Sequence, residues 1–239
     1  MPNPTAAMLV IGDEILSGRT RDANMHHLAG QLTERGIDLT EVRIVSDDKD
    51  AIVAAVRALS GSYDHVFSSG GIGPTHDDIT ADCMAAAFED QIDVRDDAAA
   101  ILQAHYDTQG LDFNDARKRM ARIPDTAQLI DNPVSKAPGF TIQNVHVMAG
   151  VPSVFKAMVE SVLPTITGGD PLVSESIRID RGEGDIAGPL ANIAQSYSDL
   201  SIGSYPFQKD GKYGANIVIR GTDAAQVADA IAATKAAFS

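Results

Sequence analysis

The sequence predicts an α/β fold with a mostly parallel sheet, followed by a small α+β domain. Three observations carry that prediction. Short apolar runs alternate with segments of helical spacing from residue 6 to residue 163. A Thr-Gly-Gly-Asp-Pro stretch at 167–171 then reads as a linker. Beyond it the order of elements changes. Strand–helix alternation is the mark of a parallel sheet covered by helices on both faces, and right-handed crossovers bring the strand C-termini to one edge.

Residues 6–11 form an apolar run ended by Gly12, as expected of a buried strand. Residues 22–35 carry Met25, Leu28 and Leu32 at helical spacing, with Gly36 just beyond. Residues 39–45 alternate and are rich in branched side chains, which predicts a second strand. Asp48 is suited to cap a helix over 49–59, whose Ile52, Val53 and Val56 share a face. Residues 65–68 make a third strand, and Thr80 is expected to cap a helix running to Phe88. Helices over 97–108 and 115–121 follow, then short strands at 128–130, 140–142 and 145–148. A helix over 154–163 closes the region, with Pro164 beyond it.

After the linker, 172–179 reads as a strand, 186–197 as a helix, 201–205 and 216–220 as strands, and 223–238 as a helix. That β-α-β-β-α order fits a small two-layer domain. The predicted domains are therefore 1–167 and 171–239.

The chain has 239 residues and a net charge of −14, so it repels a phosphate backbone and is expected to bind no nucleic acid. Residues 170–239 alone hold nine acidic and six basic residues, net −3. Aromatic residues make up only 5%, with no Trp, which argues against a stacking platform for bases. The single cysteine, Cys83, sits among apolar helix residues and reads as core. No signal peptide or bilayer-length apolar segment is apparent, and a cytoplasmic protein is expected. His26, His27 and His76 lack metal-ligand spacing with a cysteine and read as surface residues.

Three predicted strand ends carry acids: Gly12-Asp13-Glu14, Ser46-Asp47-Asp48, and the glycine loop Gly70-Gly71-Ile72-Gly73 with Asp77-Asp78. Ligands of open parallel sheets sit outside these carboxyl ends. The glycine loop is neither a Walker A loop nor a GxGxxG fingerprint, and an ordinary strand-to-helix turn also accounts for it. Read functionally, it is a nest of N–H groups that attracts phosphate. Each acid has a structural reading too: Asp48 as a helix cap, Asp77 and Asp78 as first-turn acids, Asp13 and Glu14 as solvated loop charge. Phosphate beside carboxylates is compatible only with a cation between them, and Mg²⁺ commonly uses one or two carboxylates plus substrate phosphates. A second group, Asn132 to Phe140, forms a stiff loop in which Lys136 is placed to meet an anion or simply completes a hairpin. Arg117, Lys118, Arg119 and Arg122 form a basic run, with Arg119 and Arg122 on one helix face and a solvated surface as the expectation.

Gly12-Asp13-Glu14-Ile15-Leu16-Ser17-Gly18, Asn24 and the stretch Gly70 to Thr80 resemble the molybdopterin-binding (MoaB/Mog-like) domain family. The resemblance is nearest to the N-terminal region of the competence/damage-inducible protein A (CinA) group. Ala121-Arg122-Ile123-Pro124, Asn132-Pro133, Ala137-Pro138-Gly139-Phe140 and Gly150-Val151-Pro152 match in order, and Gly203-Ser204-Tyr205-Pro206 resembles that group's small KH-type domain. Two positions depart from the pattern: Met148-Ala149-Gly150 stands for the familiar Leu-Pro-Gly, and Ser153-Val154-Phe155 for an acid-containing continuation.

The resemblance implies a three-layer α/β/α fold and a phosphorylated nucleotide- or pterin-like ligand, molybdopterin among the candidates. It implies Mg²⁺ or another divalent cation and a homo-oligomer, dimer or trimer. The implied ligand-binding residues are Gly12, Asp13, Glu14, Gly18, Asn24, Gly70, Gly71, Ile72, Gly73, Pro74, Thr75, Asp77, Asn132, Lys136, Ala137, Pro138, Gly150 and Pro152. Asp47 and Asp78 are the expected catalytic carboxylates, with Asp13, Glu14 and Asp78 holding the metal. Hydrolysis of a pyrophosphate bond such as that of ADP-ribose is the first expectation. Adenylylation of molybdopterin and a non-catalytic binding module are the alternatives. The group's C-terminal deamidase domain is expected to be missing.

Overall fold

The computed structural model describes residues 3–209 and 211–238; residues 1, 2, 210 and 239, which belong to the two predicted domains, lie outside the described residues. The chain divides into two compact units, Met1–Gly169 and Asp170–Ser239.

The first unit begins with β1 (Thr5–Ile11), a short α1 (Asp13–Leu16), α2 (Asn24–Glu34) and β2 (Asp38–Val45). It continues with α3 (Lys49–Ser60), β3 (His65–Ser69), α4 (Thr80–Phe88), β4 (Ile92–Val94), α5 (Asp96–Gln109) and α6 (Asp115–Lys118). β5 (Arg122–Pro124), β6 (Gln128–Ile130), β7 (Gly139–Ile142), β8 (Val145–Met148) and α7 (Pro152–Val162) complete it. Six strands form one mixed sheet in the order β2-β1-β3-β8-β7-β6. The pairs β1–β2, β1–β3 and β3–β8 are parallel, whereas β8–β7 and β7–β6 are antiparallel.

The continuous apolar run of β1 now has a cause. Ala7, Leu9 and Ile11 pack into one core with Ile52, Val56, Met84 and Leu102 from α3, α4 and α5. Ala6, Met8 and Val10 pack into a second core with Leu28 and Leu32 of α2 and with Phe155 and Met158 of α7. A strand covered by helices on both faces has no solvent side on which to place polar residues. The strand order also fixes where a ligand sits. The chain leaves β1 for β2 on one flank and returns to β3 on the other, so a crevice opens between the C-terminal ends of β1 and β3.

Several expectations change. Thr80 does not cap α4: Ile79 occupies that position, and Thr80 is the first helical residue. Its buried hydroxyl donates instead to the Gly70 carbonyl at 3.0 Å. Asp48 does cap α3, accepting from Ala51 N at 2.9 Å. Helix 115–121 shortens to α6 plus a 3₁₀ turn, because residues 122–124 pair with β4 in a two-stranded antiparallel sheet that periodicity did not reveal. Arg122 therefore lies in a strand and shares no helix face with Arg119. Pro164 lies beyond the helix as expected, within a 3₁₀ turn, Leu163–Thr165, that follows α7.

The second unit holds β9 (Val173–Ile179), α8 (Glu183–Ser196), β10 (Ser201–Lys209), β11 (Lys212–Gly221) and α9 (Ala224–Phe238). Its antiparallel sheet runs β10-β11-β9. Ile217 and Ile219 pack with Ile186 of α8 and with Val227 and Ile231 of α9 in a core of its own. Among the described residues no helix is long and apolar enough to cross a membrane.

Candidate functional site

The sheet brings four strand ends to one edge, one more than the sequence suggested. β8 lies beside β3, so Met148-Ala149-Gly150 joins Gly12, Asp47 and Gly70 there. The cleft at this edge encloses about 540 Å³. Glycine is required twice in its floor. Gly70 has φ 105°, and a Cβ there would strike the Ile11 carbonyl oxygen. Gly71 has φ 69°, and a Cβ there would strike the Thr80 hydroxyl. The loop thus runs directly against β1 and α4, leaving its other side as bare backbone toward the cleft.

The loop is also held by hydrogen bonds. Gly70 N donates to Met148 O at 3.1 Å, and Thr80 N to Gly71 O at 3.0 Å. Asp78 turns its carboxylate back on the loop, accepting from Thr75 N at 2.8 Å and from Thr75 Oγ1 at 2.5 Å. Behind it, Arg119 Nη2 donates to the Asp78 carbonyl at 3.3 Å. Arg119 Nε is buried with no hydrogen-bond partner. Arg122 pairs with Asp82 at 2.6 Å, and both arginines line a small cavity with Gly71, Gly73 and Asp78. The basic run is therefore not a solvated face: two of its members are half-buried against the glycine loop.

On the other side, Asp13 N donates to Asp47 Oδ2 at 2.9 Å, so Asp47 anchors the start of α1. Burial pushes the Asp47 carboxyl upward, and the nearby Asp13, Glu14 and Asp77 carboxylates push it further, against the lowering effect of the Asp13 N–H.

The expected residues separate as follows. Gly12, Glu14, Asp47, Gly70, Gly71, Ile72, Gly73, Asp77, Asp78, Asn132, Ala137 and Gly150 line the cleft. Asn24 and Pro152 line an adjoining smaller cavity that shares Glu14 and Gly150. Asn24 is buried and ties the edge together: its Nδ2 donates to Ser69 Oγ at 2.7 Å and to Gly150 O at 2.8 Å. Asp13, Gly18, Pro74, Thr75 and Lys136 do not line the cleft, and Pro138 lines only the cavity behind the loop. Lys136 has φ 63°, so its backbone departs from its neighbours' course, and it is Ser135 and Ala137 that reach the cleft. Buried Asn132 shapes this turn, accepting from Val134 N and Ser135 N and donating to Ala137 O.

Asp13, Glu14 and Asp78 do not converge as a three-carboxylate set. Among the described residues no three His, Cys, Asp or Glu side chains form a group able to hold a metal ion alone. The reason is local: Asp47 holds the Asp13 backbone, not its side chain, and Asp78 is folded into Thr75. His27 is half-buried rather than superficial, with its pKa lowered chiefly by burial. Cys83 is buried in the core and its thiol is pushed up to about 11, which leaves it no thiolate character.

Sequence reasoning missed Arg19, Met120, Ala149, Val151 and Val154 in the cleft wall. Gly18, with φ 72°, was the one local signal beside Arg19.

Residues 7–168 match the family model described as "Probable molybdopterin binding domain", and residues 171–239 match "FAD synthase, middle domain". A "Probable FAD synthase" of Caenorhabditis elegans is 32% identical over 252 residues, covering 95% of this chain and 48% of that protein. The chain thus spans about half the length of such relatives. A protein of Pyrobaculum arsenaticum is 33% identical over 210 residues, covering 84% of this chain and 79% of that one. The crystal structure of CinA from Thermoplasma acidophilum, titled as of unknown function, superposes with a TM-score of 0.63 at 32% identity. It covers 69% of this chain and 99% of that one.

Proposed function

The chain belongs to the molybdopterin-binding-domain family, and from that premise we propose that its cleft binds a phosphorylated, nucleotide- or pterin-like ligand and hydrolyses a pyrophosphate bond with a divalent cation. One observation carries this reading: a bare-backbone glycine loop and the carboxylates of Glu14, Asp47, Asp77 and Asp78 line the same cleft. Dinucleotides are the substrates to test first. The relatives named FAD synthase point to a flavin dinucleotide, and the resemblance to the CinA group points to ADP-ribose.

The donor set fits an ion shared with the ligand rather than one caged by protein. Glu14 and Asp78 line the cleft, and one or two carboxylates plus substrate phosphates suffice for Mg²⁺. A cation held there would neutralise phosphate charge. The N–H groups of Gly71 to Gly73 would orient the phosphates. Asp47, whose carboxylate burial makes more basic, would accept a proton from an attacking water.

The test is incubation with ADP-ribose, with FAD, and with ATP plus molybdopterin, each with Mg²⁺, Mn²⁺ or Co²⁺, followed by detection of AMP or an adenylylated product. AMP from a dinucleotide supports hydrolysis, whereas adenylylated molybdopterin would replace it with transfer. A second reading, a binding module without turnover, is favoured by one observation: the acids form no self-sufficient metal group. Binding without any product would establish it.

A further inference from the structure

Among the described residues lining the cleft Arg19 is the only lysine or arginine, and Glu14, Asp47, Asp77 and Asp78 line the same cleft. Its backbone is bracketed. Gly18 N donates to Ile15 O at 3.1 Å, and Thr20 N donates to Glu14 O at 2.9 Å. Gly18 takes φ 72°, a left-handed turn that directs the chain into this position. Yet the guanidinium is exposed, and among the described residues no hydrogen bond or ion pair holds it, although four carboxylates share its cleft. Its counterpart behind the loop, Arg119, is committed to the Asp78 carbonyl.

A hydrogen-bonded backbone carrying an exposed, uncommitted cation in the lining of an acidic cleft has a direct chemical use. An anionic ligand entering between four carboxylates meets repulsion that bare N–H groups only partly offset. Guanidinium presents paired donors to phosphate oxygens, and charge-assisted hydrogen bonds of this kind are stronger than neutral ones. We infer that Arg19 is the anion clamp of this site, a ligand-specificity residue that engages the phosphate or pyrophosphate group and leaves the rest of the ligand to the Ala149, Val151 and Val154 wall. The inference rests on the proposed phosphorylated ligand but not on its hydrolysis.

The test is calorimetric titration of the full chain and of Arg19→Ala and Arg19→Lys with inorganic pyrophosphate, ADP-ribose and adenosine, with Mg²⁺ present. Arg19→Ala should weaken pyrophosphate and ADP-ribose about tenfold or more, as the loss of one charge-assisted contact predicts. Adenosine affinity should stay unchanged, and Arg19→Lys should recover part of the loss. The salt dependence of ADP-ribose binding should flatten in Arg19→Ala. Equal affinities for pyrophosphate in the native chain and Arg19→Ala at low salt would overturn the clamp. So would the absence of pyrophosphate and ADP-ribose binding to the native chain. Loss of binding in Arg19→Ala with no AMP formed by any form would leave the clamp standing and remove the hydrolysis. AMP formation with the same KM in Arg19→Ala would do the reverse.

Discussion

The loop after β3 is tied to β8, to α4, to its own Thr75 and to Arg119, whereas the segment after β1 is held from outside at its start alone, by Gly12 N donating to Val45 O and Asp13 N to the Asp47 carboxylate. Both frame the same cleft. The difference follows from where their polar groups point. The glycine loop packs against β1 and α4, and a buried carbonyl or N–H left unpaired is costly, so the groups on that side are hydrogen-bonded. The segment after β1 turns outward; Asp13, Leu16, Ser17, Gly18, Arg19 and Thr20 are exposed, and its backbone bonds run mostly within the segment, from Ser17 N to Asp13 O, Gly18 N to Ile15 O and Thr20 N to Glu14 O. One side is a tightly held backbone loop, and the other presents exposed side chains beside the same cleft.

The largest expected effect lies on the tied side. Gly70→Ala forces a side chain into the Ile11 carbonyl from a left-handed backbone. Unfolding free energy should fall by roughly 1–3 kcal/mol from the strain alone, and ADP-ribose binding should be lost. Chemical denaturation and calorimetry read both; a native-like affinity in this variant would break the idea of a fixed loop. Next, Asp78→Asn keeps an acceptor for Thr75 while removing the charge. If Asp78 serves the cation, turnover should fall about 100-fold with little change in stability, a loss of the size seen when one electrostatic contact to the transition state is removed. An unchanged kcat would confine Asp78 to holding its loop.

The sheet from which the tied loop hangs has its own signature. His146 of β8 is buried against Phe67, its Nε2 has no hydrogen-bond partner, and burial lowers its pKa from 6.5 to about 4. Its neutral form belongs to the fold. The unfolded chain takes up a proton as pH falls through 6.5, so the stability is whole above that value and is lost progressively down to about 4. That loss amounts to about 3 kcal/mol and should shrink in His146→Phe, measured by urea unfolding at neutral and acid pH. The smallest effect belongs to the outward side. The raised pKa of Asp47 means its charge costs stability at neutral pH, a cost relieved as pH falls through the folded pKa. Asp47→Asn retains an acceptor for Asp13 N and should stabilise the chain at pH 7 by roughly 0.5 kcal/mol, with the gain fading in acid. A destabilised variant would show that the anchor outweighs the repulsion, and the contrast between the two sides would narrow.

The alternation of elements, the helix cap at Asp48 and the change of order after residue 167 were legible because they depend on neighbours within a few residues. The same local reading misassigned Thr80, since a threonine before an apolar helix looks like a cap whichever carbonyl its hydroxyl reaches. The two-stranded pairing of residues 92–94 with 122–124 could not be seen in either segment alone.

By itself, then, the sequence determined where glycines stand at positions no side chain fits and where acids stand at strand ends. Only the tertiary structure decided how they meet. Strand order placed β8 beside β3 and so added Ala149 and Gly150 to the cleft. The folded chain also leaves Lys136 out of the cleft lining, sets Arg119 against the glycine loop in a separate cavity, and puts Arg19 in the cleft lining. Periodicity reports which face of an element is buried. Which elements share an edge depends on long-range pairing of strands, and no spacing within a segment encodes that.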